Sequence, residues 1–396
     1  MTDILIEGGH ALIGNAVVDA SIHIADGKIA EASSRIGAAS LRLDSHGLIA
    51  LPGIVDMHGD AFERQMMPRP GVDFPVDVAL VDSDRQAIAN GITTVFHATT
   101  WSWEPGLRGT ENAHRLLNAI ENMRPHLAAD TRFHLRQETF NLDAESTIAE
   151  WLAAGRVDLL AFNDHMQMTA ASMNNPKKRA RMVERSGLSE SEFNGLVERV
   201  MTGADKVPAS IARLASIGRD SGVPLLSHDD ESPDQRAHFR SLGIAVAEFP
   251  INEETARAAI EGGDFTVFGA PNVVRGGSHT GWTRAAEMVS KGLCSILASD
   301  YYYPAPLLAA FLLATDNILP LPQAWSLVSA APAAATGLHD RGQIATGKRA
   351  DIILVDAREP LRPRVVAVIA GGRMIHLTEP QRILSAVTAE RRVEPA

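Results

Sequence analysis

Eight short apolar runs separated by amphipathic stretches fill the middle of this 396-residue chain, and that alternation constrains its fold more than any other feature. The runs are LPGIVDMH, ITTVFHAT, RFHLRQE, VDLLAFNDH, GVPLLSHDD, GIAVAEFP, FTVFGAPN and CSILASD. Strands buried on both faces read as apolar throughout, and strands that alternate with helices pair in parallel. Eight is the number that closes such a sheet, so the expected fold is α/β, a (β/α)8 TIM-like barrel. Between the runs lie helical candidates such as ENAHRLLNAIENMR and NEETARAAIEGG, the second stopping at Gly262-Gly263.

The two ends of the chain have a different texture. ILIEGGHALIGNAVVDASIHIADGKIAEASS alternates apolar and polar residues, with Asp26-Gly27 as a hairpin dipeptide. ADIILVDAREPLRPRVVAVIAGGRMIH repeats the character, with Gly371-Gly372 marking its turn. Residues 1–50 and 340–380 are therefore expected to form one small β-sandwich domain from both chain ends, around a barrel over 51–339. The stretch near 167–220 is longer than one helix needs. Ser189 and Glu192 have capping-box spacing within it, which predicts an inserted helical unit over one barrel mouth.

Composition removes several classes of function. A net charge of −11 argues against nucleic acid, whose binding needs clustered bases. No apolar run reaches the ~18 residues of a membrane span, and MTDILIEGGH carries acids where a signal peptide has bases, so no membrane partner and a cytoplasmic location are expected. Oligomeric state stays open, a homo-oligomer included. With Cys294 as the sole cysteine, metal ligands must be His, Asp and Glu.

Those ligand types fall in a regular place. His58, Glu138, His165, His228 and Asp300 each close a different predicted strand, and in a parallel barrel all such ends open on the face where active sites form. One histidine so placed is more often a packing residue, but five strand ends together point to divalent cations, one or two per chain. Zinc stands first among them, and manganese, iron, nickel and magnesium tolerate similar ligands. His58 and Asp60, two residues apart, share a strand face and suit one ion. Glu138 is placed to bridge two ions, His165 and His228 to complete the second, and Asp300 to ligate the first and take a proton from water, whose pKa a bound cation brings near ~7. Asp164, Asp229 and Asp230 adjoin these histidines and are candidates to orient them.

LPGIVDMHGD, GITTV, the strand-end ligands, SILASD and the late GQIATGKRADIILVD together resemble the amidohydrolase superfamily, over about Ile4 to Ile375. His58-Gly59-Asp60 departs from the usual His-x-His, and Glu138 stands where a carboxylated lysine is usual. With MPRPGVDFP, LRQE, NDHM, LLSHDDE, AEFP, GAPNVVRGGSHTG and ASDYYYP, these departures are similar to one branch, the α-D-ribose 1-methylphosphonate 5-triphosphate diphosphatases of carbon–phosphorus lyase metabolism.

That resemblance implies a metal-dependent hydrolase whose partner is a small phosphorylated ribose phosphonate, cut at a phosphoanhydride to release diphosphate. Asn272, Arg275, Ser278 and His279 of the glycine-rich segment, Arg69 between two prolines, and Arg136 on the face of Glu138 are the candidate substrate contacts. Lys177, Lys178, Arg179 and Arg181 form a basic cluster in the insertion, read either as a guide for the triphosphate or as a solvated helix face. The alternative activity is hydrolysis of a cyclic amide or deamination of a small molecule at the same centre.

Overall fold

All eight apolar runs are parallel strands in the computed structural model, which describes residues 3–33, 39–69, 71–277 and 283–384. They are β1 (Ile54–Gly59), β2 (Ile92–Trp101), β3 (Asp130–Glu138), β4 (Leu159–Asn163), β5 (Leu225–His228), β6 (Val246–Glu248), β7 (Phe265–Gly269) and β8 (Ile296–Ala298). Each pairs with the next in chain order. A bridge between Gly59 and Asp300 joins the two ends of the sheet. Asp300 N donates to His58 O at 2.9 Å, and Asp60 N to Asp300 O at 3.0 Å. The interior is filled by Val55, Met57, Phe96, Leu159, Ala161, Leu226 and Val267, so the barrel is a packed core and not a pore.

The surrounding helices bury the stripe their spacing predicts. In the helix Thr110–Met123 the buried residues are Ala113, Leu116, Leu117 and Ile120, a single face. The helix Glu253–Glu261 starts at Asn252, whose side chain accepts from Thr255 N, and the chain leaves it through Gly263 at φ +83°.

After β4 the chain makes three extra helices, α1 (Met166–Met173), α2 (Pro176–Ser186) and α3 (Glu190–Met201). The capping box is formed at the start of α3: Ser189 Oγ accepts from Glu192 N at 3.3 Å and Ser189 N donates to Glu192 Oε2 at 2.9 Å. Met166, Phe193 and Val197 make a small apolar core of their own. Val207–Asp220 then packs against Glu145–Ala153 as a helix of the barrel's outer ring, with Ile211, Leu214 and Ala215 turned inward.

Strands from both chain ends make two sheets. One runs Ile383–Leu384, Leu41–Asp44, Ile4–Glu7, Ser21–Ala25, Lys28–Ser33; the other runs Arg373–Leu377, Arg364–Ala370, Ile352–Asp356, Ile49–Pro52, His10–Ile13, Ala16–Asp19. Ile4, Ile22 and Ile24 of the first share a core with Ile352, Leu354 and Val366 of the second. Asp26-Gly27 and Gly371-Gly372 take positive φ at both positions, as tight hairpins require. A Cβ on Gly372 would lie 2.4 Å from the Cα of Gly27, so the two turns meet where only glycine fits. Among the described residues no helix is long and apolar enough to cross a membrane.

Candidate metal centre

At the seam where β8 returns to β1, buried Asp56 accepts from Ser299 N at 2.9 Å and from Ser299 Oγ at 2.5 Å. That clamp fixes the chain just before Asp300, which holds φ +52°, a conformation uncommon for a residue with a side chain. His58, Asp60 and Asp300 each offer a ligand atom within 4.8 Å of the others. His58 Nδ1 lies 2.8 Å from Glu248 Oε1, an arrangement that leaves Nε2 as its free nitrogen.

The electrostatics of this group favour a cation. Burial, reinforced by the nearby Arg136 charge, holds the His58 imidazole well below its usual pKa, so it stays neutral with a lone pair to offer. Burial and then the Asp60 carboxylate push Asp300 up to about 7. Two carboxyl groups and a neutral imidazole with surplus negative charge fit a divalent ion.

A second group, His165, His228 and Asp229, lies across the mouth. His165 Nδ1 is 2.6 Å from Glu138 Oε1, and its Nε2 is 3.3 Å from Asp229 Oδ2. Burial opposes the His165 charge, but the two carboxylates outweigh it and raise this imidazole to about 9. Burial likewise resists ionisation of Asp229, and the neighbouring imidazoles of His228 and His165 hold it far below the usual carboxylate range. Arg136, 6% exposed, donates from Nη2 to His228 Nε2 at 3.0 Å, and its Nη1 lies 3.8 Å from Asp60 Oδ2. With the Asn163 carboxamide oxygen turned toward it, the same guanidinium also donates to that oxygen, from Nε at 3.3 Å and Nη2 at 3.2 Å. Glu138, placed by sequence to bridge two ions, lies against His165 and joins none of these three-residue groups among the described residues.

Beneath the seam sits a wholly buried group of His58, His134 and Glu248. His134 Nδ1 is 3.0 Å from Met57 O, and His134 Nε2 and Glu248 Oε2 have no hydrogen-bond partner. Burial lowers His134 to about 3, so it is a neutral core imidazole.

The mouth is a cavity of about 310 Å³ lined by His58, Asp60, Arg136, His228 and Asp300 and by the apolar Phe249, Pro250 and Phe268. Arg275 stands at its edge, 3.2 Å from Tyr301 OH, and the Arg64 guanidinium lies 5.7 Å from the Tyr301 ring centroid. Asn272 also lines the cavity, but both ends of its amide serve the loop: Nδ2 donates to Thr283 O at 3.2 Å and Oδ1 accepts from Ala285 N at 3.0 Å. Arg69 is exposed and is not among the residues that line this cavity. Ser278 and His279 lie outside the described residues, as do the side chains of Lys178 and Arg181. Of the three neighbouring aspartates, only Asp229 reaches the histidines. Asp164 accepts from Met166 N, and Asp230 is buried with Ser227 and Arg236.

Glu248, His134, Arg64 and Tyr301 went unassigned in the sequence. Glu248 carries the same signal as the residues that were assigned, an acid closing a strand. His134 sits at alternate positions with Arg136 and Glu138, on their face of β3. Arg64 and Tyr301 meet only through the fold.

Residues 76–376 match the Amidohydrolase family, and the chain belongs to it: a metal-dependent hydrolase on a (β/α)8 barrel. It is 34% identical over 365 residues, 90% of this chain and 96% of the relative, to the α-D-ribose 1-methylphosphonate 5-triphosphate diphosphatase of Escherichia coli (strain K12). The adenine deaminase of Methylobacterium nodulans is 26% identical over 95% of this chain and 56% of its own length. In fold the chain is similar to dihydropyrimidinase from Brevibacillus agri, with a TM-score of 0.65 at 13% identity over 95% of both chains.

Proposed function

We propose that this hydrolase cleaves a phosphoanhydride bond of α-D-ribose 1-methylphosphonate 5-triphosphate, giving the 5-phosphate and diphosphate. The observation that carries the reading is a pair of permanent cations in one small cavity, Arg136 beside the carboxylate seam and Arg275 at the cavity edge. Guanidinium groups match phosphate oxygens in shape and charge, and they are misplaced in a pocket built for a neutral amide. The 34% identity to the E. coli diphosphatase supports the same substrate.

His58, Asp60 and Asp300 would hold a divalent ion, with zinc first in order of fit. Such an ion supplies two things, a lower pKa for water and neutralisation of phosphoryl oxygens. The chain's own side chains do the rest. Asp300 takes the proton of the attacking water through a carboxylate oxygen. Arg136 faces the phosphoryl group under attack and, being nearly buried, needs no reorganisation to stabilise charge developing there. Arg275 and Tyr301 meet the departing diphosphate at the edge. Phe249, Pro250 and Phe268 offer an apolar wall to the ribose and exclude water beside it.

That wall also favours a second reading, hydrolysis of a cyclic amide or deamination of a small ring, the activities named for adenine deaminase and dihydropyrimidinase. Incubating the metal-loaded protein with the ribose triphosphate ester, a hydantoin-like ring and adenine separates the two. Release of diphosphate from the ester, and no turnover of the rings, is expected. Orthophosphate alone, or turnover only of a ring, contradicts the proposal.

A further inference from the structure

We infer that Arg64 completes a clamp with Arg275 and Tyr301 for the diphosphate end of the substrate, so that this edge of the mouth selects an anion of two linked phosphates. The inference rests on the proposed function for the place of attack, and adds to it a further binding residue and a rule of selection. Three neighbouring strand ends supply the clamp. β7 runs into the short helix Ala270–Val274, and Arg275 follows it. Tyr301 follows Asp300, which bridges to Gly59 at the end of β1. Past β1 the chain turns at once: Glu63 N donates to Asp60 O at 3.0 Å and Arg64 N to Ala61 O at 3.2 Å, so the turn that starts at Asp60 sets Arg64.

Two guanidinium groups thus meet at one phenol. Arg275 Nη1 donates to Tyr301 OH at 3.2 Å, and Arg64 lies 5.7 Å from the centroid of the same ring. Gathering two like charges is unfavourable, and in a chain with 48 acidic and 37 basic side chains a carboxylate is the expected remedy. None is supplied: neither arginine enters an ion pair among the described residues, and Glu63, next to Arg64, lies 3.7 Å from Arg108 instead. Their contacts are weak ones, a ring face at an exposed site and one hydrogen bond to a neutral hydroxyl. A guanidinium carries five N–H donors, so most of them remain for an anion, which would form stronger, charge-assisted bonds and remove the repulsion. Position identifies the anion. Tyr301 is one residue from Asp300, so the clamp starts beside the seam, where phosphates bonded to the phosphorus under attack are carried by covalent geometry. The methylphosphonate is held away from it by the ribose. Two forks match two linked phosphates, and a single phosphate fills one fork at a time.

Titration calorimetry of the metal-loaded protein with inorganic diphosphate, orthophosphate and methylphosphonate tests this. Wild type should bind diphosphate more tightly than either single anion. In Arg64→Gln and in Arg275→Gln the diphosphate affinity should fall about tenfold, and that for either single anion by no more than about threefold. Arg362→Gln, which removes an exposed charge from a turn of the sheet domain, should match wild type. Arg64→Lys, expected to lose affinity because an ammonium lacks the fork, serves if Arg64→Gln does not fold. Wild-type diphosphate affinity in the Arg64 variant overturns the inference. So does an equal loss in Arg362→Gln, which would make the effect one of net charge, and so does a loss confined to methylphosphonate, which would put the clamp at the other end of the substrate. No bond is cut in the experiment. A failure to release diphosphate from the ester would therefore defeat the proposed reaction and leave the clamp standing, and an unaltered Arg64 variant would do the reverse.

Discussion

The two sides of the barrel mouth use the same side-chain types to opposite ends. At the β1–β8 seam, Asp60 and Asp300 share a neutral imidazole, and burial, with the Asp60 charge after it, lifts Asp300 to about 7. Across the mouth, Glu138 and Asp229 enclose His165 and raise it to about 9, and their own carboxyls are held below the usual range in return. One side crowds two carboxyl groups against a neutral imidazole, and the other sets an imidazole between two carboxylates. The same residue types therefore set opposite proton affinities, according to whether a carboxyl or an imidazole is the group enclosed by its neighbours.

The comparison can be broken at its strongest point first. Asp300→Asn removes both an ion ligand and the proton acceptor, and kcat/KM for the triphosphate ester should fall by about 10⁴. A loss below about tenfold would mean that the seam is not where the reaction occurs. Arg136→Gln should lower kcat by roughly 10²–10³, the range for removing one fixed donor from a developing oxyanion. A change in KM alone would assign this guanidinium to ground-state binding instead.

Glu248→Gln keeps the shape but weakens the hold on His58 Nδ1, and should cost about 10–100-fold in ion affinity, measured by competition with a chelator. Glu138→Gln, the corresponding change across the mouth, should leave ion affinity unaltered. Equal losses in both would erase the difference between the two sides.

The smallest expected effect is on stability. The His165 pKa is raised from 6.5 to about 9 on folding, so its contribution is fully present below pH 6.5 and is lost as pH rises through about 9. The size is at most on the order of 3 kcal/mol. Tm of the metal-free protein should fall between pH 6.5 and 9, and His165→Gln should flatten that fall. A Tm that rises over this range would contradict the ion-paired state.

The barrel was legible in the sequence because strands buried on both faces have no polar face to hide, and each of the eight runs became a strand. The hairpins were legible through Asp26-Gly27 and Gly371-Gly372, where positive φ leaves few residue choices. The strand-end rule located the rim, but not the partners chosen there. Nothing in the spacing of Glu138 and His165 says that they pair with each other, and Arg136 reaches Asp60 only because β1 and β3 curve around a common axis. Glu248 was missed for a related reason, since its task is to turn His58, a contact across 190 positions of sequence. Local periodicity reports which face a side chain takes, and hydrogen-bond partners across a barrel lie beyond it.

Anomalous diffraction at the metal edge, from crystals grown with manganese or zinc, addresses the central claim without reference to activity. A peak should appear bounded by His58 Nε2, Asp60 and Asp300. A peak only between His165 and His228, with none at the seam, would contradict the assignment of an ion to His58, Asp60 and Asp300.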